Sequence, residues 1–311
     1  MSSIHDFVTG PARPASLAAL AQQPALPCVI DTARARTLYL PGLDAQKLRE
    51  APFVNLHARK EARLLLSVPW EAGPINRPRV ETDPIYVFSP GRCGSTLLHK
   101  LLMAANIQSV SEPDIGGALI SPAYQKYPLI RPVLRWATRI YARDLMSALG
   151  SNHEILVIKL RSQYCRVAPL LLKNAREKRT IFMTRGFESW AQSVARLFKV
   201  TPTYLVREYR RSLECYAYLR RRGNCHFLRY ESLIEQPHRE MAQLAGFLGR
   251  EISVRAIEDA MAVGSQEGTR LDRVSERGLA RWDAIKDETS RLWFSSGTAA
   301  LCDQIIGAGE S

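Results

Sequence analysis

The sequence predicts an α/β fold of three layers, with a central, mostly parallel sheet flanked by helices. From residue 84 onward, short apolar runs alternate with longer amphipathic segments. At least four such runs read as strands, each followed by a helical period, as parallel sheets require. The first run passes through a glycine turn directly into a helix start, "PIYVFSPGRCGSTLLHKLL" over 84–102. A chain of 311 residues with 46% hydrophobic content suffices for a full core.

Taken in order, residues 1–80 hold nine prolines between Pro11 and Pro78, which interrupt long helices. The one helical stretch predicted there is "ARKEARLLLSV", 58–68. This region is expected to be an extension that packs on a main domain of residues 81–311. In the main domain, "PIYVFS" (84–89) is a buried strand. "STLLHKLLMAA" (95–105) is a helix with Leu97, Leu98, Leu101, Leu102 and Ala105 on one face. Residues 133–149 form a helix, 154–160 a strand and 166–175 a helix with Pro169 near its start. A strand at 179–184 leads to helices at 186–198 and 203–222. The strand 225–230 precedes a helix "REMAQLAGFLG" that stops on Gly249. Ligands of such folds sit beyond the carboxyl ends of the strands.

The formal net charge is +13, from 43 Lys and Arg against 30 Asp and Glu. It suits a nucleic-acid binder or an enzyme of phosphorylated or sulfated compounds. Arginines spread from Arg131 to Arg281 fit a field around an anion cleft better than a polybasic arm. The six cysteines (Cys28, Cys93, Cys165, Cys215, Cys225, Cys302) have no C-x-x-C spacing and are expected as free thiols. With no apolar run near ~18 residues and no signal-like start in "MSSIHDFVTGPARP", a soluble, cytoplasmic protein without membrane insertion is expected.

A strand, a glycine turn and a helix start aim backbone N–H groups and the positive helix end at one spot, which binds phosphate. The nucleotide-hydrolase loop would place glycine at position 89 and lysine at position 95. This chain has Ser89 and Ser95, and its positive charge is Arg92. The strands end in Ser89, Leu160, Thr184 and Tyr230, none of them a carboxylate for Mg²⁺. The loop therefore suits an anion bound without metal.

"FSPGRCGSTLL" resembles the 5′-phosphosulfate loop of the sulfotransferases that use 3′-phosphoadenosine 5′-phosphosulfate (PAPS), a P-loop-type superfamily with carbohydrate, tyrosylprotein and bacterial members. Three further segments follow the same family in order. "TIFMTRGFESWAQSVARL" resembles its 3′-phosphate site, with Arg185 and Ser193 eight positions apart. "LRYESLIEQPHREMAQLAGFLG" resembles its Tyr-Glu-Asp-Leu strand end, with Ser232 replacing Asp. "GLARWDAI" is similar to a segment near its carboxyl end. The resemblance covers about 84–290 and leaves residues 1–80 untouched.

The resemblance implies a donor held by Arg92, Cys93, Gly94, Ser95 and Thr96 at the 5′ side and by Arg185 and Ser193 at the 3′-phosphate. Arg92 is the natural stabiliser of charge on the transferring and leaving oxygens. Glu112 in "SVSEPDI" is the candidate base, with Asp114 as the fallback. Lys159, ending "ILVIK", either stabilises the bridging oxygen or extends to solvent. His99 reads as a non-catalytic helix residue and Cys93 as a small filler. Residues 264–282 read as a lid loop, with Arg270, Arg273 and Arg277 as phosphate contacts. Tyr124, Tyr127, Trp136, Tyr141, Tyr204 and Tyr209 suit either an organic acceptor or the core. The acceptor would be a hydroxyl or amine of a small molecule, lipid, carbohydrate or peptide. The alternatives are a P-loop small-molecule kinase, which would need Mg²⁺ and a lysine, and a non-enzymatic nucleic-acid-binding protein. The sequence does not address oligomeric state.

Overall fold

A computed structural model describes residues 12–21, 25–31, 33–42, 44–51, 53–72, 84–114, 117, 119–120, 126, 128–148, 155–173, 179–262 and 276–307. In chain order, its first half holds β1 (Arg13–Pro14), β2 (Ala25–Asp31), β3 (Arg36–Pro41), α1 (Val54–Glu61), β4 (Leu66–Pro69), β5 (Ile85–Phe88), α2 (Ser95–Ala104), β6 (Ser109–Ser111), α3 (Arg131–Ala148) and β7 (Val157–Lys159). The second half holds β8 (Thr180–Thr184), α4 (Phe187–Leu197), α5 (Pro202–Arg221), β9 (Cys225–Arg229), α6 (Tyr230–Glu235) and α7 (Pro237–Leu248). After these come α8 (Val254–Ala262), α9 (Glu276–Asp283), α10 (Lys286–Ser295) and α11 (Thr298–Ile306).

The predicted fold class is the one observed: five strands in the order β6-β7-β5-β8-β9, flanked by helices. The pairs β5/β8, β6/β7 and β8/β9 are all parallel. The chain divides into two compact units, the first made of residues 1–85, 107–160 and 169–177, the second of 86–106, 161–168 and 178–311.

In the first unit a second sheet, order β1-β4-β3-β2, occupies the proline-rich region. Its prolines fall at strand ends or at an irregularity. Pro14, Pro41 and Pro69 end their strands, and Pro27 lies at a register shift in the edge strand β2. The helix expected over 58–68 is corrected here: α1 stops at Glu61, and the apolar half of that stretch becomes β4, pairing with β3. The sheet buries Ala25, Tyr39, Leu66 and Val68 in one cluster. The Tyr39 hydroxyl donates to Asp144 Oδ2 of α3 at 2.6 Å, which satisfies a fully buried carboxylate.

In the second unit, α4 and α5 bury Trp190, Ala191, Val194, Leu205, Tyr209 and Leu213 together. Phe187 and Trp293 stack at 3.9 Å on the rim of that cluster. Helix α5 starts on Thr201, whose side chain accepts the Tyr204 N–H, with Pro202 at its first turn. Helix α7 ends as expected on Gly249 in the left-handed conformation. The helix expected over 166–175 is replaced by a 3-10 turn, Ser162–Val167, and a short helix, Ala168–Leu171, while residues 174–175 lie outside the described ones.

Candidate active site

The loop between β5 and α2 is a chain of backbone turns that only glycine or strain allows. Gly91, Arg92 and Gly94 all have positive φ, at 76°, 55° and 80°. A Cβ on Gly94 would lie 2.3 Å from the Tyr230 ring, so the close approach of α6 demands glycine there. Gly94 is also the N-cap of α2 and has no side chain to bond the first-turn N–H groups. An uncapped helix start inside a folded loop is the geometry in which backbone donors take an anion.

Three side chains hold the loop in place. Trp190 Nε1 donates to Gly91 O at 2.8 Å, Cys93 Sγ to Met183 O at 3.4 Å, and Cys165 Sγ to Ser89 O at 3.4 Å. Cys93 is thus a buried anchor between the loop and β8. Ser95, Thr96 and His99 are all buried on α2.

Arg92 Nε donates to Ser193 Oγ at 3.3 Å, while Arg185 Nε donates to Ser189 Oγ at 2.9 Å. Two arginines thus meet two serines on successive turns of α4. Burial first, and then the charge of Arg185, lower the pKa of the Arg92 guanidinium. Two cations that repel one another across partly buried space form a site that an anion would relieve. The Arg185 guanidinium lies over the Tyr230 ring at 4.7 Å. Its backbone is also held: the Tyr209 hydroxyl donates to Arg185 O at 2.6 Å. Glu231 Oε1 accepts the Gly186 N–H at 2.9 Å and so caps α4 immediately beyond Arg185.

The remaining candidates belong to the first unit. Lys159, 3% exposed at the end of β7, donates from Nζ to Glu112 Oε1 at 2.8 Å and to Ser111 Oγ at 3.2 Å. The lysine thus does not extend to solvent. The Glu112 N–H in turn donates to Lys159 O at 2.8 Å, so β6 and β7 end in a doubly linked ion pair. Glu112 adopts a left-handed φ of 56°, and Asp114 is buried.

Tyr141 and Tyr209 are core residues, while Tyr204 is exposed on α5 and Trp136 lies on α3. Tyr124, Tyr127, Arg270 and Arg273 lie outside the described residues, as does the lid expected over 264–282 up to residue 275. Its remainder is helical, within α9. Sequence reasoning missed Ser189, Trp190 and Glu231, and it did not foresee the bond from Tyr209 to the Arg185 carbonyl. The i,i+4 spacing of Arg185 and Ser189 across a helix start was the one local signal. Among the described residues, no cluster of three metal-ligating side chains occurs, and no helix is long and apolar enough to cross a membrane.

The family model "Sulfotransferase domain" matches residues 187–298, from the first residue of α4 into α11. No curated protein matches the chain. Among solved structures, sulfotransferase STF9 from Mycobacterium avium is 11% identical, with 71% of this chain and 77% of that one covered at a TM-score of 0.46. The sulfotransferase domain from the Synechococcus PCC 7002 olefin synthase is 17% identical, covering 67% and 90% at 0.44. The mouse sulfotransferase SULT7A1 complexed with PAP is 10% identical, covering 73% and 85% at 0.42. The domain match begins two residues after Arg185, on the helix that carries Ser189 and Ser193.

Proposed function

We propose that the protein moves the sulfuryl group of PAPS to a hydroxyl, or an amine, of a small-molecule, lipid, carbohydrate or peptide acceptor. The transfer is an in-line displacement that needs no metal, in the cytoplasm, and residues 81–311 form the sulfotransferase domain on which 1–80 pack. The observation that carries this reading is the placement of Arg92 and Arg185, each bonded to a serine of α4, beside the uncapped start of α2. PAPS supplies the activated sulfuryl group and an anionic leaving phosphate. Arg92, with the backbone of Cys93 and Gly94 and the side chains of Ser95 and Thr96, holds the 5′ side. Arg185 holds the 3′-phosphate, aided by the α4 serines Ser189 and Ser193.

Glu112 takes the acceptor proton, and Lys159 supplies positive charge to the departing oxygen. Their direct bond gives the two roles a common step. As Glu112 gains a proton its hold on the Lys159 ammonium weakens, and that charge becomes available when the leaving group needs it.

The test is a titration with 3′,5′-adenosine bisphosphate against ATP with Mg²⁺, followed by an acceptor screen with ³⁵S-labelled donor. The bisphosphate should raise Tm and ATP should not. Loss of one charge-assisted bond is worth ~1.5–3 kcal/mol, so Arg185→Ala should weaken bisphosphate binding roughly ten- to a hundred-fold. An unshifted Tm with bisphosphate, together with no labelled product, would overturn the reading.

A further inference from the structure

Lys159 is the one candidate cation seated in the first unit, and its surroundings include a residue from the proline-rich region. The Phe53 ring lies with its centroid 5.0 Å from Lys159 Nζ. Phe53 is the N-cap of α1, and its carbonyl accepts the Leu56 N–H at 3.1 Å and the His57 N–H at 3.0 Å. Its backbone is thus set by the helix start. Ser111 Oγ and Glu112 Oε1 take Nζ as a hydrogen-bond donor, while the aromatic face offers it a negative quadrupole. The lysine is 3% exposed against 23% for its glutamate partner. The ammonium is therefore enclosed, and the carboxylate is the part of the pair that meets solvent.

We propose that Phe53 is a positioning residue for the Lys159–Glu112 pair: the aromatic ring holds the ammonium against the carboxylate and keeps water from it. This gives the amino-terminal region a part in the reaction, as the supplier of one wall of the pair. The effect on turnover rests on the proposed sulfuryl transfer, whereas the shielding of Lys159 does not.

Phe53→Leu keeps apolar cover and removes the quadrupole, while Phe53→Tyr and Phe53→Trp retain it. Acetic anhydride labelling of the intact protein, read by peptide mass spectrometry, should modify Lys159 several-fold faster in Phe53→Leu than in wild type. Phe53→Tyr should behave as wild type. With ³⁵S-labelled donor, kcat should fall about three- to thirty-fold in Phe53→Leu with bisphosphate affinity unchanged, and recover in Phe53→Tyr or Phe53→Trp. Equal Lys159 labelling in all variants would overturn the proposal, as would a kcat loss that the aromatic variants do not restore. Faster labelling in Phe53→Leu, in a wild type that neither binds bisphosphate nor transfers label, would uphold the positioning role and reject the sulfuryl-transfer reading.

Discussion

Arg92 combines two unfavourable features. Its φ of 55° is left-handed, and its charge is partly buried beside Arg185. Among the described residues, five non-glycine positions have positive φ: Ala35, Arg92, Asn106, Glu112 and Asn224. Asparagine tolerates that region and Ala35 lies in a turn, so the charged cases are the two sequence candidates Arg92 and Glu112. Such conformations cost about 1–3 kcal/mol each and persist where the surroundings impose them. Arg92→Gly should therefore raise the Tm of the free protein by about 2 °C, because it relieves strain, desolvation and repulsion together. The same change should weaken bisphosphate binding at least about ten-fold. Scanning fluorimetry with and without bisphosphate measures both, and a lowered Tm or undiminished binding would contradict the account.

At the scale of elements, α4 and α5 set the site by reaching under it. Trp190 of α4 holds the loop carbonyl of Gly91, and Tyr209 of α5 holds the carbonyl of Arg185. Neither touches the anion region through a charged group, and both are almost fully buried. Tyr209→Phe leaves the Arg185 carbonyl without this donor, so stability should drop by about 1 kcal/mol in a denaturant titration. Bisphosphate affinity should fall a few-fold, since the Arg185 backbone loses its tether. A stability loss with no change in affinity would confine Tyr209 to core packing. Helix α5 also contributes arginines to the ends of later helices: Arg210 Nη1 donates to Ser296 O and Arg220 Nη1 to Ile305 O, each at 3.2 Å. Cations at carbonyl ends complement the helix dipole.

For the whole molecule, part of the net charge of +13 is consumed structurally. Glu208 accepts from Arg166 at 2.7 Å and from Arg211 at 2.6 Å, and these two arginines hold its carboxyl below the usual range despite burial. Acid sensitivity is expected from a different group. His226 in β9 has its pKa lowered by burial, its Nε2 is buried without a hydrogen-bond partner, and its ring packs 5.3 Å from Phe247. The native state thus favours neutral imidazole, while the unfolded chain gains a proton near the ordinary value of about 6.5. Below that value the unfolded state binds more protons, so stability is full above it and declines as pH falls toward the depressed native pKa. His226→Phe should show a smaller Tm loss than wild type between pH ~7.5 and ~5.5. An identical loss would assign the acid sensitivity elsewhere.

The order of strands and helices after residue 84 was legible because each element carries its own period: apolar runs for buried strands, a 3.6-residue stripe for helices. The loop was legible for a related reason, since Gly91 and Gly94 mark backbone that side chains would block. Local pattern could not tell which serine each guanidinium reaches. Ser189 and Ser193 stand one turn apart on the same helix, and two long, flexible arginine side chains chose between them only once β8, α4 and the loop were packed. The proline-rich region reads as irregular because strand pairing is a long-range choice. Pro14, Pro27, Pro41 and Pro69 proved compatible with a sheet because they fall at strand ends and at a register shift in an edge strand. The residue types and spacing of "PGRCGST" by themselves determined that the chain would turn through left-handed backbone into an uncapped helix start. Tertiary structure alone decided that Lys159 would face Glu112, Ser111 and Phe53, because those groups come from separate segments and meet only when the sheet and α1 assemble.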